Sequence, residues 1–260
     1  MSALTLRDAL LRGRRRPRRT GGGSPTSFRG DGYEFVELRA YVAGDDVRRI
    51  DWAASARAGT LQSRVVLEDV ALTLAAIVDD SDSMQVGRER TLLDAARDAY
   101  EAWVGAAASG DRVVRVDADA IVHPLSPRAS SFDLRACLSA ARSGLRRGSA
   151  LLVIGDWYEL TADLDDLLAD LGAWCDCTAL YARDPWYDDL PLRGFVRLRG
   201  ADGGMLRTYI GERERTAFLR AVREREAALH ERFERAGWRS APLFERSGAA
   251  SLRAAFGLQA

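Results

Sequence analysis

From about residue 70 the chain alternates short apolar runs with amphipathic segments, and no other feature constrains its fold as tightly. The runs "ALTLAAIV", "ALLVIGD" and "CDCTALYA" have strand length, are rich in branched residues and lack the polar alternation of a half-solvated strand. Between them, "RERTLLDAARDAYEAWVGAAAS" repeats apolar residues at helical spacing, with Leu92, Leu93, Ala96, Tyr100 and Trp103 on or near one stripe. "SFDLRACLSAAR" and "ELTADLDDLLADLGA" read as further helices, and "DRVVRVDADAIVHPL" as two short strands about Asp117 to Asp119. Strand, helix and strand in repetition predict a mostly parallel α/β sheet with helices on both faces.

The flanks read differently. Residues 1–29 run from an amphipathic start through "RGRRRPRR" into a Gly/Ser/Pro linker, which predicts a mobile basic arm. Residues 30–69 form an N-terminal segment expected to pack on the main domain, which occupies 70–260 with a C-terminal extension. In that extension "GFVRLRG" and "LRTYIG" make a hairpin turned through "ADGG", and "RERTAFLRAVREREAALHERFERAG" is a long, charge-laced helix closed by Gly.

Composition removes several function classes. Basic and acidic residues balance at 38 each, so no whole-molecule field favours nucleic acid, and no aromatic residue interleaves the arginine run to stack on bases. An arm acting on nucleic acid would give binding that falls steeply with salt and is lost with residues 1–24. Every Lys/Arg position is Arg, which excludes a P-loop lysine and a Schiff-base lysine. Cys137, Cys175 and Cys177 are odd in number and badly spaced for zinc; they read as reduced core thiols, which points to the cytoplasm. No apolar run approaches the ~20 residues of a membrane span, and the arginines are not followed by the apolar stretch of a signal peptide.

The most informative local feature is "LTLAAIVDDSDSMQVG", residues 72–87, where an apolar strand breaks into carboxylates and hydroxyls. Ligands of an open parallel sheet bind outside the carboxyl ends of its strands. Asp79, Ser81 and Ser83 are spaced by two, so an extended loop would turn all three toward one ion, and such hard oxygens suit Mg²⁺ or Mn²⁺. The same residues could equally cap the next helix. A second strand, "LLVIGDWYE", ends at Gly155 and Asp156 in the same topological position, which caps alone explain less well.

"DDSDS" resembles the DxSxS sequence of the metal-ion-dependent adhesion site of von Willebrand factor A domains, and "IGD" resembles that family's third-loop Asp. The resemblance implies a Rossmann-like fold in which Asp79, Ser81 and Ser83 ligate the ion directly, with Asp156 beside them. It also implies a middle-loop Thr, for which "SPRASSFDLRACL" offers only Ser130 or Ser131, the latter better spaced from the helix. A longer stretch, "GDGYEFVELRAYVAGDDVRRIDWAASARAGTLQSRVVLED", together with "ARDPWYDDLP", resembles the bacterial domain-of-unknown-function 58 family, whose members carry an A-type domain just after that signature.

Within the signature, "GDDVRRIDWAASAR" gathers acids and arginines round Val47, Ile50 and Trp52. Asp45 or Asp46 is expected to cap a short helix whose apolar residues face the sheet, with the charges in a bidentate lattice. The alternative is a partner-docking face made of Arg39, Asp46, Arg48, Asp51, Trp52 and Arg57, anchored on Trp52. The resemblance implies a MoxR-type AAA+ ATPase as partner, so the expected function is a cytoplasmic, non-catalytic adaptor whose ion takes an Asp or Glu from a client. The rival expectation is a Mg²⁺- or Mn²⁺-dependent phosphoester hydrolase using Asp80, Asp82 and Asp156. It lacks a well-placed histidine, since His123 reads as a strand end and His230 as the outer face of the long helix.

Overall fold

The computed structural model describes residues 5–15, 34–42, 45, 47–67, 71–124, 131–188, 190–199 and 204–259. The chain divides into two compact units, Arg14–Ala71 and a larger one formed by Met1–Gly13 with Leu72–Ala260.

Helix α1 (Leu6–Arg15), which belongs to the larger unit as far as Gly13, stands where a mobile arm was expected. Thr5 and Asp8 cap its first turn reciprocally, the Thr5 N–H donating to Asp8 Oδ2 and the Asp8 N–H to Thr5 Oγ1. Leu10 is buried in the same core cluster as Leu72, Trp103 and Leu252, and Arg7 pairs with Asp111. A cap, one buried leucine and an ion pair thus seat this end of the chain; residues 16–29 lie outside the described residues.

In the smaller unit β1 (Glu34–Ala40) pairs antiparallel with β2 (Gln62–Leu67), and α2 (Trp52–Ala58) lies between them in sequence. Asp51, not Asp45 or Asp46, caps α2: it accepts the Ala54 N–H at 2.9 Å while its other oxygen takes Arg64 Nε at 2.9 Å. Those hydrogen bonds hold the Asp51 carboxyl below the ordinary range. Asp45 instead is gripped by Arg39 Nη2 at 2.6 and 2.7 Å and accepts the Val42 N–H, while Asp46 lies outside the described residues. The expected inward apolar face is also corrected, because Val47 and Trp52 are exposed, Trp52 by 68%.

The body of the larger unit follows the alternation read from sequence. In chain order it comprises β3 (Thr73–Val78), α3 (Leu92–Gly105), β4 (Arg112–Val116), β5 (Ile121–Val122), α4 (Leu134–Gly144), β6 (Ala150–Gly155), α5 (Asp165–Trp174) and β7 (Asp176–Ala182). The expected hairpin, β8 (Gly194–Arg199) and β9 (Met205–Ile210), and the long α6 (Glu212–Arg235) come next, then β10 (Arg239–Leu243) and α7 (Gly248–Ala255). Six strands form one sheet in the order β10-β7-β6-β3-β4-β5, parallel except for β5. Alternate side chains divide between two cores: Ala75, Ile77, Leu151 and Val153 pack with residues of α4, α5 and α6, and Leu74, Ala76, Leu152 and Ile154 with α1, α3 and α7. The architecture is therefore the doubly covered, mostly parallel sheet expected. Strand β10 was not foreseen; "RSAPL" is short and contains Pro242, which an edge position tolerates. All three cysteines are buried and none is in a disulfide.

Candidate functional site

The sheet order sets β3 and β6 side by side, with Val78 opposite Ile154. Being parallel and in register, the two strands release their chains at the same edge, and the Asp79 N–H still donates to the Ile154 carbonyl at 2.8 Å. Asp79 and Asp156 consequently line one crevice, with Phe132 and Glu159 from neighbouring loops; its volume of ≈ 10 Å³ is about that of one water position. Gly155 permits this approach, since a Cβ there would lie 3.0 Å from Asp79 Cβ and 3.1 Å from its Oδ2.

The Ser81 N–H donates to Asp79 Oδ1 at 2.9 Å, after which the chain enters a single 3-10 turn, Asp82–Gln85. The hydroxyls of Ser81 and Ser83 lie 2.8 Å apart. Asp79, Ser81 and Ser83 are thus drawn together by a turn, where an extended loop was expected. Asp79 is 2% exposed and, among the described residues, has no ion pair with a basic side chain. Burial pushes its carboxyl above the ordinary range, the hydrogen bonds of Ser81 oppose that rise, and the charge of Asp156 adds to it. Asp156 directs Oδ1 to the Tyr158 N–H at 2.9 Å, and its own N–H lies 3.5 Å from Asp79 Oδ2. Asp80 and Asp82 are exposed.

Ser131 is exposed at the entry to α4, next to Phe132 of the crevice, and among the described residues no hydrogen bond joins it to the other four. Ser130 lies outside the described residues. Among the described residues no three His, Cys, Asp or Glu side chains cluster as metal ligands, so any ion here would rest on two carboxylates and serine hydroxyls.

Three neighbours escaped the sequence reading. Trp157 is the only described non-glycine residue with positive φ, at 59°, a conformation that costs about 1 to 3 kcal/mol for a bulky side chain. It is held there by Phe233, 4.7 Å away edge-on, and by its indole N–H on the Leu180 carbonyl at 3.1 Å, and it fixes the direction in which the chain leaves Asp156. Glu159 accepts the Leu134 N–H at 3.1 Å, tying the third loop to the start of α4. Arg225 of α6 donates to the Asp156 carbonyl at 2.7 Å and lies 4.0 Å from the centre of the Tyr158 ring. The sequence carries "DWYE" as a hint of the first two and no hint of Arg225.

The docking set in the smaller unit is only partly available. Arg39 and Asp51 are committed to Asp45 and to the α2 cap, Arg57 donates to the Ala53 carbonyl at 3.2 Å, Arg48 is exposed, and Trp52 is its largest open side chain.

Fold and site together define a doubly wound α/β protein that gathers carboxylates and hydroxyls at the carboxyl edge of its two central strands, where such sheets hold ligands. The chain belongs to the DUF58 family, described as "Protein of unknown function DUF58", whose profile matches residues 37–113. It is 30% identical to the uncharacterized protein Rv1480 of Mycobacterium tuberculosis H37Rv and to the uncharacterized protein Mb1516 of Mycobacterium bovis, over 74% of this chain and 68% of each relative. Among solved structures it is similar to the conserved hypothetical protein BatB from Bacteroides thetaiotaomicron, with TM-score 0.33 and 13% identity over 64% of this chain and 98% of that one. An aerotolerance-related membrane protein from Bacteroides fragilis gives TM-score 0.34 and 14% identity over 64% and 100%. Among the described residues of this chain no helix is long and apolar enough to cross a membrane.

Proposed function

We propose that the protein is a non-catalytic, metal-dependent protein-binding adaptor built on a von Willebrand factor A-like site, working with a MoxR-type AAA+ ATPase. One observation carries the reading: Asp79 is a buried carboxylate with no basic partner among the described residues, set beside two serine hydroxyls and a second Asp. Burying an unpaired carboxylate costs several kcal/mol, and a cation beside it offsets that cost. The hard oxygen donors suit Mg²⁺ or Mn²⁺, with Asp79, Ser81 and Ser83 on the first loop and Ser131 and Asp156 on the two others. When bound, the ion would supply a coordination position for an Asp or Glu of a client protein.

Within this proposal the chain's own residues do the positioning. Gly155 lets Asp79 approach β6, the 3-10 turn brings Ser83 back to Ser81, and Trp157 and Arg225 fix the loop of Asp156. Immobilised protein is expected to retain the ATPase or client in Mg²⁺ and release it in chelator, and Asp79→Ala should release it in both. Retention by Asp79→Ala in chelator would remove the mechanism.

The smaller unit would give a second, metal-independent contact through Trp52. Trp52→Ala should weaken ATPase binding by about tenfold with the melting temperature unchanged, because a 68% exposed side chain contributes little to the fold. Calorimetric titration showing equal affinity for both chains would exclude Trp52 from the interface.

A further inference from the structure

Hairpin β8–β9 is a two-stranded sheet with no third strand among the described residues. Its register pairs Phe195 with Tyr209 and Arg197 with Arg207, and these pairs share one face with Met205. That face is open: Phe195 is 91% exposed, Met205 61% and Tyr209 55%, and Arg197 and Arg207 are exposed between them. On the opposite face Val196, Leu198 and Thr208 are half-buried, and only Leu206, towards the turn, is exposed among its described side chains. Arg197 and Arg207 stand directly opposite one another, an arrangement that is destabilising for like charges, and among the described residues neither has an acidic partner. Residues 191–210 hold Arg193, Arg197, Arg199 and Arg207 against the single acid Asp202.

We propose that this face docks an acidic, extended segment of a partner protein, added as a strand to the free edge of β8. The segment lays an apolar side chain against Phe195, which itself packs on Tyr209, and a carboxylate against Arg197, with the long side chain of Arg207 one strand further in. Charge complementarity selects an acidic occupant, and a second copy of the same face would set arginine against arginine. A polypeptide can complete the unpaired N–H and C=O groups of a strand edge; a nucleic acid cannot. The two aromatic rings meet edge-to-face at 66°, with centres 5.2 Å apart, so they form no flat platform for successive bases. Among the described residues the arginine pair interrupts the apolar residues of this face between Phe195 and Met205, which disfavours laying the face into lipid. The edge is that of β8 because β9 runs straight into α6 and ends in the buried Ile210.

The surface is distinct from the Asp79 crevice, which separates the two tests. A fluorescein-labelled peptide alternating Glu and Val around one Phe is titrated against the full chain, with anisotropy as readout. Binding is expected to weaken about tenfold with Phe195→Ala and more with Arg197→Glu and Arg207→Glu together, to fall with salt, and to be lost when Pro interrupts the peptide. Asp79→Ala and chelator should leave it unchanged, and alternate β8 amides should become protected from hydrogen exchange. Phe195 is almost wholly exposed, so its alanine variant keeps the fold, and an unchanged melt verifies this. Absence of peptide binding, binding insensitive to these three substitutions, or tighter binding of oligothymidylate or phosphatidylserine vesicles through the same residues would overturn the proposal.

Discussion

Asp79→Asn is expected to melt at a higher temperature than the parent chain in chelator and to lose the stabilisation that Mg²⁺ gives the parent. The substitution keeps the shape and the oxygen that accepts the Ser81 N–H at 2.9 Å, but removes a charge that is 2% exposed and has no basic partner among the described residues. Removing an unpaired buried charge should contribute about 1 kcal/mol in the metal-free protein, the net of the burial cost relieved and of two contacts placed at risk, the Ser81 side-chain hydrogen bond and the long one from the Asp156 N–H, 3.5 Å from Oδ2. A ligand that binds only the native state at a hundred times its Kd adds about 2.7 kcal/mol, which for a chain of this size is roughly 5 to 10 °C in Tm. The parent should show that rise with Mg²⁺, and the Asn variant less than about 1 °C. Equal Mg²⁺ responses would place the ion elsewhere. A lower melting point for the variant in chelator would mean that the carboxylate is already satisfied without a cation.

The parts of the fold legible in sequence are those where one physical signal dominates. Strands β3, β6 and β7 are apolar on both faces because helices cover both, and α3 and α6 carry long periodic patterns, so their types and positions follow from the residues alone. Strand β10 was illegible because Pro242 and two polar residues carry no alternation, and only pairing to β7 makes it a strand. The first turn of α1 did leave a signal, the Thr5 and Asp8 capping pair, which the basic run behind it masked. At the site, Asp79 and Asp156 were legible as acids at strand ends, but their adjacency depends on β3 and β6 being neighbours in the sheet, which sequence order does not state. Trp157 in the left-handed region and Arg225 on the Asp156 carbonyl are products of tertiary packing, and no local pattern encodes either. In the smaller unit three nearby acids competed for one helix start, and Asp51 won because it directly precedes the helix and Arg39 holds Asp45.

Gly248→Ala should destabilise the protein by about 3 kcal/mol, or roughly 6 to 12 °C in Tm, although helix propensity alone forecasts a gain of about 1 kcal/mol. Gly248 opens α7, and a Cβ on it would overlap the carbonyl oxygen of Ala95 and lie 2.9 Å from the N of Ala99. Both obstacles are backbone atoms of α3, so no side-chain rotation relieves them and α7 must lift. Lifting disturbs the packing of Leu252, which is fully buried, and of Trp103 against Phe256. It also strains the turn before α7, where Ser251 Oγ accepts the Phe244 N–H at 3.1 Å and Glu245 accepts the Arg88 N–H at 2.6 Å. Arg88 lies at the far end of the loop that carries Asp79, Ser81 and Ser83, so the same variant should weaken the Mg²⁺ response as well as the fold. Thermal melts with and without Mg²⁺ measure both effects. A neutral or stabilising Gly248→Ala would show that α7 does not rest on α3 at this distance, and the support inferred for the acidic loop would fall with it.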